Sequence, residues 1–251
     1  QLADQVHWVA RIVKKIDAKH PVMCHVGISS PVQNVRYDTC VDALMMDGLD
    51  FYGSSYDVSW ESQAYMTDKE NVRGLENQSQ LTRARIQVDW LRSLSPKNWI
   101  CELYANLYHP WTTRQPEMLL WQFWQAVVRG LGGIMIWEYK VERIGVESLG
   151  YGLLGLDGKP NARSKALAAA MRLIKGELAE FFEGFEFRAP TVGMLYDERS
   201  HLLSEFEGYY NAQLHNIHLR SLWAFYETLR RRNIPVRLVP YQHLDSVLPL
   251  L

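Results

Sequence analysis

Lys97–His109 reads KNWICELYANLYH, and the organisation of the whole chain turns on it. Asn98–Tyr104 alternates as a β-strand does, with Trp99, Cys101 and Leu103 on one face and Ile100, Glu102 and Tyr104 on the other. A carboxylate in so apolar a run is costly unless its charge is used. The residues that follow, Tyr104, Asn106, Tyr108, His109 and Trp111, are aromatic and hydrogen-bonding types suited to holding a sugar ring. From spacing alone, Glu102 is equally a strand-end carboxylate paired with an arginine.

Working outward, the flanking segments alternate in type. Upstream, Gln1–Lys19 has apolar residues at helical spacing, Pro21–Val26 is a short buried strand, Asp38–Met46 a short helix and Leu49–Ser55 the next strand. Ser59–Asn77 is polar and longer than most connections, and Gln78–Leu94 returns to helix until Pro96 stops it. Downstream, Pro116 suits a first helical turn, Glu117–Leu131 is an apolar helix, and Ile134–Tyr139 is a strand after Gly130, Gly132 and Gly133. The order α-β-α-β-α-β-α-β implies parallel strands with crossover helices, in an open doubly wound sheet or a (β/α)8 barrel. No glycine-rich phosphate loop follows a strand, which counts against a nucleotide-binding sheet. The C-terminal strand ends, where a barrel keeps its chemistry, hold Tyr56, Glu102 and Glu138. That favours the barrel.

Val141–Asn161 is a long glycine-containing loop that offers Glu147 and Tyr151 to a site, and Lys159–Phe182 reads as a helix. Gly184–Pro190 marks a domain boundary, placing one domain at 1–187 and the start of another at 188–251. Beyond it, strand Thr191–Tyr196, helix Glu207–Arg232 and strand Pro235–Val239 form a β-α-β unit. The sequence opens on Gln1 within a helix and ends on Val247–Leu251, an apolar run expected to enter a strand, so it reads as a piece of a longer protein.

Composition narrows the partners. A net charge of −1 argues against nucleic acid or an anionic membrane surface as the main partner, since both need a basic surface. Nine Trp and thirteen Tyr mildly favour carbohydrate, although core filling accounts for most of them. Cys24, Cys40 and Cys101 show neither zinc spacing nor a disulfide framework, which fits a reducing, cytoplasmic compartment. No apolar run approaches the roughly 20 residues of a membrane span.

With these pieces in order, the chain resembles glycoside hydrolase family 42, the β-galactosidase family of a clan of retaining barrel glycosidases. ICELYANLYHPW resembles the strand-seven nucleophile segment, WQFWQAVVRGLGGIMIWEYK helix seven and strand eight, GVESLGYGLLGLDGKPNAR the loop behind them, and LDFYGSSYD the strand-six segment. Thr191–Pro240 resembles the start of the family's flavodoxin-like trimerisation domain. The resemblance implies the second half of a TIM barrel followed by the start of a doubly wound domain, with the general acid/base upstream of Gln1 and no metal or cofactor in this segment. It implies Glu102 as nucleophile and a β-glycoside or oligosaccharide as substrate. Tyr56 would hydrogen-bond the nucleophile, Trp111 would stack on the sugar, and Glu147 would accept its hydroxyls. Glu138 and Tyr139 join as binding residues, with Lys140 or Arg143 as the partner of Glu138. A trimeric homo-oligomer is expected of the whole protein.

The sequence also departs from that family. Gly150 stands where a sugar-contacting histidine is usual, and Trp137-Glu138-Tyr139-Lys140 stands where Phe-Gln-Trp-Arg is usual. Galactose specificity is thereby put in doubt. Another retaining β-glycosidase of the clan, or a non-catalytic sugar-binding descendant, stays open.

Overall fold

The computed structural model describes residues 1–27, 29–32, 40–56, 75–106, 114–145, 147–210 and 217–248. Four strands, β1 (Met23–Val26), β2 (Phe51–Tyr56), β3 (Trp99–Tyr104) and β4 (Gly133–Trp137), form one parallel sheet in sequential order. Helices α1 (Leu2–Ile16), α2 (Asp42–Met46), α3 (Leu75–Leu94), α4 (Pro116–Val128) and α5 (Ala162–Lys175) alternate with them. Sequential parallel order with a helix in each crossover is the arrangement of a run of barrel strands.

Alternation in β2 sends Tyr52, Ser54 and Tyr56 toward the helices, leaving Phe51, Gly53 and Ser55 on the other face. That second face is open: Met135 of β4 is 42% exposed on it. Strand β3 breaks the simple alternation. Ser54 pairs with Ile100 but Ser55 with Glu102, and Ile100 pairs with Ile134 but Leu103 with Ile136. Both neighbours therefore skip one residue of β3, which is a β-bulge at Cys101. Ile100 and Leu103 consequently lie together in the helix-side core, and the expected grouping of Leu103 with Trp99 and Cys101 is corrected. The bulge is what releases Glu102 from that core.

Room for it comes from Gly53. A Cβ there would lie 2.1 Å from Cys101 Sγ and 2.8 Å from the Trp99 carbonyl oxygen. A thiol can swing aside but a strand carbonyl cannot. Gly53→Ala is therefore expected to cost about 1–3 kcal/mol, read from the urea midpoint of the whole protein.

After α6 (Ala179–Glu183), strands β5 (Val192–Tyr196) and β6 (Val236–Pro240) form a separate parallel pair, joined through α7 (Glu198–Tyr210) and α8 (Ile217–Arg231). Two helices thus stand where one, Glu207–Arg232, is expected. Asp197 starts the first of them early, accepting from Arg199 N and Ser200 Oγ at 3.0 and 2.6 Å. The expected helix Lys159–Phe182 is likewise two, α5 and α6, with Gly176 after the first and a capping box at Asn161 opening it. A helical turn, α9 (Leu244–Val247), occupies the approach to the expected last strand.

Helix α3 serves both sheets. Ala84, Val88 and Leu91 pack on the four-stranded sheet, while Ile86, Trp90 and Leu94 pack with Tyr196, Leu219, Leu222 and Leu238. Its apolar residues run around the cylinder because both sides are covered. A buried polar cluster adds to the joint. Glu198 accepts from Ser30 Oγ and from the backbone N–H of Asp42 and Ala43 (2.7 and 3.3 Å). Asp42 in turn accepts from Ser30 N, Tyr52 OH and Trp90 Nε1 at 2.9, 2.9 and 2.8 Å. Burial, and the neighbouring Asp42 charge, push Glu198 up to about 8.

Candidate active site

The bulge sets Glu102 at the C-terminal end of β3, its side chain 20% exposed on the open face. Two hydroxyls donate to the same oxygen: Ser55 Oγ lies 2.6 Å from Oε2 and Tyr104 OH lies 3.2 Å from it. His25 Nε2, from β1, is 2.9 Å from Ser55 Oγ and 3.8 Å from Glu102 Oε2. No bond to Oε1 is found among the described residues, so that oxygen is left to solvent or to a ligand. Neither is there an arginine partner for Glu102 among them, which weighs against a plain structural ion pair.

The surroundings are aromatic. Tyr104 meets Tyr151 with ring centroids 4.5 Å apart. Tyr151 is buried and holds φ at +52°, a left-handed conformation that a bulky residue keeps only when its contacts demand it. Its carbonyl accepts from Glu138 N, and Leu153 N and Leu154 N return bonds to the carbonyls of Glu138 and Tyr139, so the loop after β4 folds back along the strand end. Arg114 supports the end of β3 from beneath, donating to the Tyr104 carbonyl at 2.7 Å and to Gln122 Oε1.

The expected residues divide. Glu102 and Glu147 are near the site: Trp137 Nε1, at the end of the next strand, donates to Glu147 Oε2 at 3.2 Å. Tyr56 is not there. It is fully buried on the helix side, its hydroxyl without a hydrogen bond among the described residues, and burial pushes its phenol up. Ser55, one residue earlier and on the opposite face, makes the contact expected of it. The signal was present as a polar pair, Ser54-Ser55, inside an apolar strand.

Glu138 does not pair with Lys140 or Arg143. Its carboxylate accepts from Glu142 N at 3.0 Å and is raised chiefly by burial. Tyr139 is 68% exposed, and no hydrogen bond or ring contact among the described residues ties it to Glu102. Trp111 lies outside the described residues, as do Tyr108 and His109. Among the described residues no three His, Cys, Asp or Glu side chains gather as a metal site, and no helix is long and apolar enough to cross a membrane.

No known protein-family profile matches the sequence, and no curated protein does. Solved structures do match. A β-galactosidase from the haloarchaeon Halorubrum lacusprofundi superposes with a TM-score of 0.68 over 95% of this chain at 19% identity. Gan42B, a glycoside hydrolase family 42 β-galactosidase, gives 0.71 over 93% at 17%. GH5_18 from Streptomyces cattleya gives 0.62 over 98% at 13%. The chain spans about a third of each β-galactosidase, 34% and 33%, and 57% of the GH5_18 protein. Coverage so complete on one side and so partial on the other fixes the architecture: the chain has the fold of part of a TIM-barrel glycoside hydrolase, four consecutive barrel strands followed by a further α/β segment.

Proposed function

We propose that the whole protein is a retaining β-glycosidase of the family 42 type, in which Glu102 is the nucleophile. The observation that carries this is the one-sided holding of Glu102 among the described residues: hydroxyl donors on Oε2, none on Oε1, at a strand's C-terminal end beside an aromatic pair. A carboxylate so held stays ionised and presents one oxygen along a fixed direction. Oε1 attacks the anomeric carbon, and a C1–Oε1 ester bond forms as the C1–O bond to the aglycone breaks. The departing oxygen takes its proton from a second carboxyl, about 5–5.5 Å away in retaining enzymes and outside this sequence. That group, now a carboxylate, takes a proton from water. The hydroxide attacks C1 and Glu102 leaves.

Within this reading Glu147 and Trp111 bind sugar, Glu138 shapes the loop, and trimeric assembly belongs to the whole protein. A 2-deoxy-2-fluoro β-glycoside carrying a good leaving group tests it. The label is expected on the peptide containing Glu102 by mass spectrometry, and a label on Glu138 would reject it. Gly150 in place of a hydrogen-bonding side chain also predicts weak selection. Specificity constants for aryl galactoside, fucoside, glucoside and arabinoside should lie within about a thousandfold, where a dedicated hydroxyl contact can enforce 10⁴–10⁵ or so.

A further inference from the structure

His25 has no part in the chemistry above, yet it stands directly behind the nucleophile. A proton count fixes what it does. An ionised Glu102 can only accept, and Ser55 has a single hydroxyl proton, which the 2.6 Å contact commits to Oε2. The Ser55 oxygen can then only accept from His25 Nε2 at 2.9 Å. Nε2 therefore carries hydrogen, and the chain of donation runs from His25 through Ser55 to Glu102. His25 cannot replace the serine, because 3.8 Å is beyond a hydrogen bond.

We propose that His25 and Ser55 form a positioning pair for the nucleophile, acting through Oε2 chiefly in the step that releases Glu102 from the sugar. The proposal rests on Glu102 being that nucleophile. In the first step the carboxylate gives up charge to C1, and a donor on Oε2 slightly restrains it while fixing its aim. In the second step the charge returns to Glu102, and the same donor stabilises it as a leaving group. Ser55 is 1% exposed, so its bond acts without competition from bulk water.

The whole enzyme should be assayed on a 2,4-dinitrophenyl β-glycoside, whose leaving group makes release of Glu102 the slow step. Ser55→Ala is expected to lower kcat roughly tenfold to a hundredfold, the worth of a hydrogen bond to a charged group. KM should fall with it, and a burst of dinitrophenol should precede the steady state, because the glycosyl-enzyme accumulates. His25→Ala should fall similarly, the double variant no further, and His25→Gln, which keeps a donor, should recover part of the loss. In a Glu102→Ala background, azide-rescued turnover should not change when Ser55→Ala is added. Unchanged kcat in Ser55→Ala, losses that multiply in the double variant, or a further fall in the azide-rescued rate would each overturn the pair. Failure of azide to rescue Glu102→Ala at all would instead remove the nucleophile assignment beneath it.

Discussion

Glu102→Ala in the whole enzyme is expected to lower kcat on the order of 10⁴-fold or more, because no ester to C1 can form. The shortened side chain leaves a space on the α face that azide can enter, so added azide should restore turnover and yield an α-glycosyl azide. Glu138→Ala should behave differently. Its carboxylate holds the turn through Glu142 N–H, and removing it loosens the loop that carries Glu147 and Tyr151. KM should rise, kcat should fall far less, and azide should give no α product. Rescue with Glu138→Ala and not with Glu102→Ala, followed by product analysis, would exchange the two roles.

The order of strands and helices was legible because each element carries its own period and its own stop. Glu102 was legible as the one charge in an apolar strand. The bulge was not, since reading alternate faces assumes a constant period of two, and nothing in NWICELY announces the extra residue. Tyr56 was preferred to Ser55 for a related reason: a tyrosine attracts attention and a serine passes as filler, yet the face is decided by parity along β2. The paired helices in place of Glu207–Arg232 were hidden because Asp197, an N-cap, directly follows an apolar strand. Trp111 depends on a loop that period and propensity do not specify.

Stability should depend on pH through Glu198. Unfolded, it loses its proton near 4.5; folded, it keeps it to about 8. Between those values the native state binds more protons than the unfolded state, so stability falls as pH rises. Asp42, raised by burial, adds in the same direction. The contribution is complete below about pH 4.5 and gone above about pH 8. It amounts to a few kcal/mol, since each pH unit between the two values contributes about 1.4 kcal/mol. Urea midpoints of the whole protein at pH 5 and 8.5 measure it, and Glu198→Gln should flatten the difference. An equal pH difference in that variant would move the effect elsewhere. Asp42→Ala should cost more at every pH, roughly 3 kcal/mol or above, because Ser30 N–H, Tyr52 OH and Trp90 Nε1–H all lose a buried acceptor.

The same cluster bears on how the chain is made. Ser30 meets Glu198 across 168 residues, and the Pro31 carbonyl meets Trp223 Nε1 across 192. A ribosome adds about 5–20 residues per second, so the segment beside β1 waits roughly 10–30 s for the residues that close it. During that interval Asp42 and the N–H groups of α2 are without their final partner. Native closure of the barrel segment is thus paced by synthesis of the segment that follows it, and a stop codon placed before Glu198 would release a nascent barrel whose first loop has nothing to lock against.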